Sequence, residues 1–275
     1  MSMNKTPPES ELSEKTPQRG IYLLPNLLTT AALFAGFYSI VAAMKGFFDT
    51  AAIAMFIAMI ADGLDGRVAR LTNTQTPFGA QYDSLSDMVS FGIAPALVIY
   101  SWSLVNLGKV GWLAAFLYAA GTALRLARFN TQVQDKKFFQ GLPSPSAAGV
   151  VASLVWLGAS YGVDGLYMAI PAALLTIFVA ALMVSAIRYS SFKSVDFKGR
   201  VPFFTVVLAV LLIAAISLYP PEMLFALFFI YVMSGPSITL WQMRKAKQKQ
   251  RRIEQKLHLQ HSGKFAAKPP KDVSL

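Results

Sequence analysis

Four aspartates, Asp62, Asp65, Asp83 and Asp87, fall within the 26-residue stretch DGLDGRVARLTNTQTPFGAQYDSLSD. Asp62 and Asp65 are three residues apart and Asp83 and Asp87 four apart, so on helices each pair shares a face. Asn73-Thr74-Gln75-Thr76-Pro77 between them is a break-and-turn signal. The stretch therefore reads as a helical hairpin over residues 49–101, with both pairs at similar depth on adjacent helices. Four unpaired carboxylates in a low-dielectric setting repel one another and resist desolvation, so something must neutralise them. An all-oxygen set without His or Cys selects hard divalent cations, Mg²⁺ or Mn²⁺, and four carboxylates suit two of them. Such a pair serves in-line displacement at phosphorus. Gly63, Gly66, Ala69 and Gly79 leave room for a ligand against helix backbone, and Arg67 and Arg70 offer positive charge for phosphate. A lone intramembrane Asp is commonly a structural partner of an Arg; four at this spacing favour a site.

The elements that must position these residues follow from composition. Of 275 residues 55% are hydrophobic and only 14% charged, against the quarter or so charged in soluble domains. Apolar blocks of membrane-crossing length recur at about 24–44, 49–69, 80–101, 110–129, 146–162, 166–187, 201–219 and 222–241. The fold class expected is an all-α polytopic membrane protein with eight spans. Residues 1–20 are polar and Pro-containing, and read as a disordered cytoplasmic N-terminus rather than a signal peptide. With that end inside, 23 of the 25 Lys and Arg fall on the inner side, leaving Lys45 and Lys109 outside. Both termini and the aspartates are then cytoplasmic. The same count explains the net charge of +11 without nucleic acid. Residues 242–275 read as a basic cytoplasmic tail attracted to lipid headgroups. The absence of cysteine excludes disulfides and thiolate chemistry. The last two spans carry no Lys, Arg or Asp and are assigned no chemistry.

The pattern Asp62-x-x-Asp65-Gly66-x-x-Ala69-Arg70, eight residues, then Gly79-x-x-x-Asp83-x-x-x-Asp87 resembles the complete signature of the CDP-alcohol phosphatidyltransferases. The resemblance implies a six-helix transmembrane core over residues 21–200, with residues 201–241 as two additional transmembrane helices. It implies transfer of a phosphatidyl group from CDP-diacylglycerol to an alcohol, with release of CMP. By position, Asp62, Asp65 and Asp83 would be metal ligands, and Asp87 both a ligand and the base that takes the acceptor's proton. Gly66, Arg70, Thr76 and Gly79 match positions around the CDP moiety, with Asp62 beside them. Pro25-Asn26-Leu27-Leu28-Thr29 is similar to a family segment lining the nucleotide pocket, which would add Pro25, Asn26 and Thr29; read alone it is an ordinary helix start. The resemblance also implies a homodimer, in a bacterial cell membrane.

Three further stretches, ALRLARFN (123–130), FFQGLPSPSAAG (138–149) and LMVSAIRYSSFK (182–193), lie on the side of the aspartates by the charge count. Together they resemble the members whose acceptor is L-serine more than those using glycerol 3-phosphate, inositol phosphate or choline. A serine carboxylate suits a guanidinium fork. Arg125, Arg128 and Arg188 are the candidates, with Asn130, Ser144 and Ser146 for the remaining polar contacts; each Arg alternatively snorkels to the headgroups from a helix end. Another acceptor alcohol is the nearest alternative. A divalent-cation transporter is a second, disfavoured because the carboxylates sit near one face and no inverted repeat is detectable. His258 and His261, the two histidines, lie in the basic tail, which excludes covalent histidine chemistry at the site.

Overall fold

The computed structural model describes residues 23–131, 138–190 and 203–266. The expected disordered segment 1–20 and the loop lysines Lys136 and Lys137 lie outside the described residues, as do the side chain of Arg188 and residues 267–275. The chain runs α1 (Leu23–Met44), α2 (Phe48–Leu71), α3 (Pro77–Asp87), a π turn (Met88–Ile93), α4 (Ala94–Trp102) and α5 (Lys109–Thr131). After these come β1 (Phe138–Gln140), α6 (Ser144–Ser160), α7 (Ala169–Val184), β2 (Arg188–Ser190), α8 (Phe203–Leu218) and α9 (Pro220–Ala266). It is an all-α polytopic membrane protein, with one addition: β1 and β2, three residues each, pair antiparallel with Gln140 opposite Arg188.

A helix lies within each stretch anticipated as a span, but α2, expected to span over 49–69, is not among those apolar enough to cross a bilayer. Leu24–Met44, Pro77–Trp102, Lys109–Thr131 and Pro220–Lys245 are long and apolar enough to cross a bilayer. Three others, Ser144–Ser160, Ala169–Val184 and Phe203–Leu218, are shorter apolar helices. A helix of 16 residues such as α7 measures about 24 Å at about 1.5 Å per residue, against a hydrocarbon core of about 30 Å. Large apolar side chains such as Phe34, Ile57, Trp112, Phe116 and Leu174 point outward, an arrangement that suits lipid and not water.

Why α1 and α2 pair is visible in their composition. Ala32, Ala35, Ala42 and Ala43 of α1 and Ala51, Ala52, Ala54 and Ala58 of α2 are all buried, and small residues let helix backbones approach closely in lipid. The connection turns at Gly46, whose φ of +81° suits a residue without Cβ. Ser39 Oγ donates to the Ala51 carbonyl at 2.7 Å, tying the pair near that turn.

The helices bearing the two aspartate pairs do not form the simple hairpin expected. Both α2 and α3 pack on α1, which also contacts the π turn and α4. Ser86 Oγ donates to the Thr29 carbonyl and Ser90 Oγ to that of Ala32, each at 3.1 Å. Gly36 allows this approach: a Cβ there would lie 2.7 Å from the Ser90 Cα.

The third long span is not a regular helix. Immediately after Asp87 it loosens into the π turn, where the Ala94 N–H reaches back five residues to the Val89 carbonyl. Pro95 supplies the cause: with no N–H it leaves the carbonyl four residues earlier, that of Phe91, without its helical donor. The Tyr118 hydroxyl of α5, fully buried, donates to that carbonyl at 3.1 Å.

α6 is the central helix, buried almost all round from Ser144 to Gly158, and it packs on α2, α4, α7 and α9. α8, in contrast, buries no residue and rests on α9. α9, 47 residues long in all, does not stop at the end of the apolar segment but continues through the basic region. Lys245 Nζ sits 3.4 Å from the Trp241 ring centroid, a cation–π contact where the apolar segment gives way to charge.

Gly36→Ala is expected to drive α1 off the π turn and cost about 1–3 kcal/mol, as overpacking does. Gly63→Ala, where an added Cβ meets nothing within 4 Å, is expected to leave stability unchanged. Thermal unfolding of both variants in detergent checks this; equal midpoints would contradict it.

Candidate active site

The site is built at the end of the bundle where α2 stops and α3 begins. α2 ends at Leu71; Asn73 takes φ +51°, a left-handed conformation that Asn tolerates. The Thr72 N–H donates to the Val68 carbonyl at 2.9 Å and that of Thr74 to the Ala69 carbonyl at 3.0 Å. α3 opens with Thr76 as N-cap, its Oγ1 accepting from the Gly79 N–H at 2.9 Å, and with Pro77 in the first turn. The turn read from residues 73–77 is therefore where the sequence placed it.

Across this turn Asp62, Asp83 and Asp87 each bring a carboxylate oxygen to within 4.8 Å of the others. The Asp62 and Asp87 carboxyls are immediate neighbours within the trio. All three are half-buried, and Asp87 Oδ1 is a buried oxygen with no hydrogen-bond partner. Asp65 stands apart from the trio: it is 5% exposed, and its Oδ2 accepts from Thr29 Oγ1 at 2.6 Å. It remains within Coulombic reach of Asp62 and Asp83. The trio is an anionic all-oxygen set with an unsatisfied buried acceptor, a chemistry that fits a hard divalent cation.

Beside the carboxylates is a cavity of about 200 Å³. Pro25, Asn26, Thr29, Gly66, Thr76 and Gly79 line it, with Asp65 and Asp83 at its carboxylate side. Its lining is thus drawn from the start of α1, the end of α2 and the start of α3. Gly66 faces open space; at Gly79 a Cβ would come within 3.1 Å of Thr76 Oγ1 and 3.4 Å of Asn26 Oδ1. Arg67 and Arg70 are exposed on the last turns of α2. Thr30 Oγ1 and the Tyr82 hydroxyl, 2.9 Å apart, brace α1 against α3 alongside.

The other anticipated polar residues divide by what they touch. Arg125 is 9% exposed; its Nη1 donates to Ser144 Oγ at 2.9 Å, its Nε is buried without a partner, and Asp87 is the anion within Coulombic reach. Arg128 is turned elsewhere: Nη2 donates to the Val184 carbonyl at 3.0 Å and Nη1 to that of Ser185 at 3.5 Å. It caps orphan carbonyls at the C-terminus of α7, the end of the helix dipole that favours a cation. Asn130 Nδ2 donates to Ser84 Oγ at 3.0 Å, joining the end of α5 to α3. Ser146 is half-buried in the first turn of α6. Arg188 contributes its backbone to β2.

Sequence reasoning missed the π turn behind Asp87 and the Tyr118 hydroxyl that holds it. A proline eight residues after the last of the four aspartates was the available signal. It also missed Tyr231 of α9, whose phenol lies within Coulombic reach of Arg125; an aromatic in an apolar span gives no such signal.

Comparison with known proteins agrees with the pattern of aspartates. The family model described as CDP-alcohol phosphatidyltransferase matches residues 22–178. A protein of Helicobacter pylori named CDP-diacylglycerol–serine O-phosphatidyltransferase is 37% identical over 226 residues, covering 80% of this chain and 92% of that protein. One of the same name from Mycobacterium tuberculosis is 39% identical over 154 residues, 53% of this chain and 54% of its own. An archaetidylserine synthase of Methanothermobacter thermautotrophicus is 39% identical over 168 residues, 60% of this chain and 69% of its own. The match extends over the helices that carry the aspartates and the cavity, and this chain belongs to the CDP-alcohol phosphatidyltransferase family.

Proposed function

We propose that the protein is a phosphatidylserine synthase, which moves the phosphatidyl group of CDP-diacylglycerol to the hydroxyl of L-serine and releases CMP. The observation that carries the reading is the convergence of Asp62, Asp83 and Asp87 within 4.8 Å beside the cavity. The choice of serine is supported by the names of relatives that match over most of their length.

Asp62, Asp65, Asp83 and Asp87 would hold two divalent cations, Mg²⁺ or Mn²⁺. When bound, such ions neutralise the carboxylates and stabilise charge building on the transferred phosphate. The cytidine diphosphate occupies the cavity between Pro25, Asn26, Thr29, Thr76 and Gly79, with Gly66 admitting it against the backbone of α2 and Arg70 toward its phosphates. Asp87 accepts the proton of the serine hydroxyl. The serine oxygen forms its bond to the lipid-bearing phosphorus as the bond to CMP breaks. Arg125, held by Ser144 beside Asp87, receives the serine carboxylate. Its buried guanidinium is an incompletely paired cation suited to an anionic ligand. Ser146 and Asn130 would serve the remaining polar contacts of the acceptor, and Arg128 serves by fixing the end of α7.

The asymmetry of Lys and Arg, 23 of 25 on one side by the sequence reading, supports a site and both termini at the cytoplasmic face of the membrane. Serine and CMP then exchange with the cytosol while the acyl chains enter sideways from the lipid. The working unit in this reading is a homodimer.

The test is CMP release from CDP-diacylglycerol with Mn²⁺ by the purified protein, offered L-serine, glycerol 3-phosphate, inositol phosphate, choline or no acceptor. Release is expected with serine alone, and Asp87→Asn is expected to lower it by about 10²–10⁴-fold, the range of a lost general base. Release driven by another acceptor would overturn the serine assignment, and a mutant at wild-type rate would remove Asp87 from its role. Thr29→Val, which deletes the 2.6 Å bond to Asp65, is expected to raise the Mn²⁺ concentration for half-maximal activity about tenfold, as loss of a ligand's supporting hydrogen bond does. An unchanged Mn²⁺ requirement would detach Asp65 from the metal site.

A further inference from the structure

α9 lies beyond residues 22–178, the part matched by the family model, and its sequence carries no charge in the apolar half after Glu222. It is nevertheless packed along α6, the central helix, and on β2. The Tyr161 hydroxyl at the far end of α6 donates to Glu222 Oε1 at 2.7 Å. Further along, Phe228 seats its ring against Gly149, where a Cβ would collide with it. The two helices therefore run antiparallel. Three residues past Phe228 along α9, about 4.5 Å, carries the chain toward the same end as Ser144, five residues before Gly149, about 7.5 Å. Tyr231 arrives there.

A second set of contacts leads to the same place. The Tyr231 ring packs on that of Tyr189, centroids 5.6 Å apart at 41°. Tyr189 is fully buried, its hydroxyl donates to the Val232 carbonyl at 3.0 Å, and Gly235 makes room for its ring. It belongs to β2, which pairs with β1. β1 leads through Gly141, at φ +81°, into Ser144, the acceptor for Arg125. Arg125 thus donates to the neutral Ser144 hydroxyl, with the phenols of Tyr118 and Tyr231 within Coulombic reach. Neutral oxygens solvate a guanidinium without cancelling its charge, whereas a carboxylate at position 231 would occupy it.

We propose that α9 forms one wall of the acceptor pocket and that Tyr231 is a positioning residue, holding the Arg125 fork for the carboxylate of a small amino-acid acceptor. This rests on the proposed function and deepens it: selection of the acceptor depends on a helix outside the part matched by the family model.

Tyr231→Phe in the full chain keeps the ring on Tyr189 and removes only the hydroxyl. Steady-state kinetics are expected to show KM for serine raised about tenfold, the scale of one contact to a charged group, with KM for CDP-diacylglycerol within about twofold of wild type. Tyr231→His, which keeps a ring and restores a polar edge, is expected to recover part of the serine KM, and is read by the same split should Tyr231→Phe not purify folded. An unchanged serine KM, or a parallel rise in both KM values, would overturn the proposal. If the wild type releases CMP only with an acceptor other than serine, the serine reading fails, and the same split measured with that acceptor decides on Tyr231.

Discussion

Repulsion among carboxylates governs this structure. Asp62, Asp83 and Asp87 stand within 4.8 Å of one another at one end of a membrane bundle. Like charges at that spacing cost about 3 kcal/mol per pair even at an effective dielectric near 20. The net stability of a domain is of order 5–15 kcal/mol, so three such pairs are a burden no fold carries without compensation. Protons or cations must supply it. A divalent cation does so while leaving the carboxylates as ligands, and the same field then favours charge on a transferred phosphate. The constraint that threatens the fold is thereby the one that gives the site its chemistry.

Holding the carboxylates in place falls to α1, which bears none of the aspartates. Its alanine face lets α2 approach closely, Gly36 lets in the π turn, and its carbonyls at Thr29 and Ala32 receive Ser86 and Ser90. Thr29 turns the other way and holds Asp65. One helix thus fixes the depth of both aspartate pairs. The π turn adds a further control, because Pro95 releases the Phe91 carbonyl and Tyr118 takes it. α5, which carries Arg125 two turns further on, is thereby locked to the segment immediately after Asp87. Rigid elements with satisfied polar groups are what a phosphoryl-transfer site needs, since small displacements cost rate.

The aspartates were legible because intervals of three and four residues have a physical meaning on a helix, and Thr76-Pro77 is a local capping signal that tertiary context did not override. The cavity residues Pro25, Asn26 and Thr29 were legible through family resemblance alone; as a sequence they open an ordinary helix. Other features depend on distant partners. That α1 is the spine shared by α2 and α3 is a matter of packing, and a turn between two helices does not reveal it. The partner of Arg128 is a backbone carbonyl of α7, which no side-chain pattern announces. The continuation of α9 through the basic segment was open to reading, because Lys, Gln, Arg and Glu are strong helix formers, but charge drew attention to solvation instead. Tyr231 could not be found, since only the antiparallel seating of α9 on α6 brings it toward the Ser144 end of that helix.

The most direct test of the central claim is the stoichiometry of Mn²⁺ bound to the folded, detergent-solubilised protein without substrate, measured by paramagnetic resonance of free and bound ion. The account predicts two ions per chain in the wild type and a marked loss in Asp83→Asn. A wild type that binds none, or an Asp83→Asn variant that binds as well as wild type, would contradict the claim that these carboxylates are a cation site.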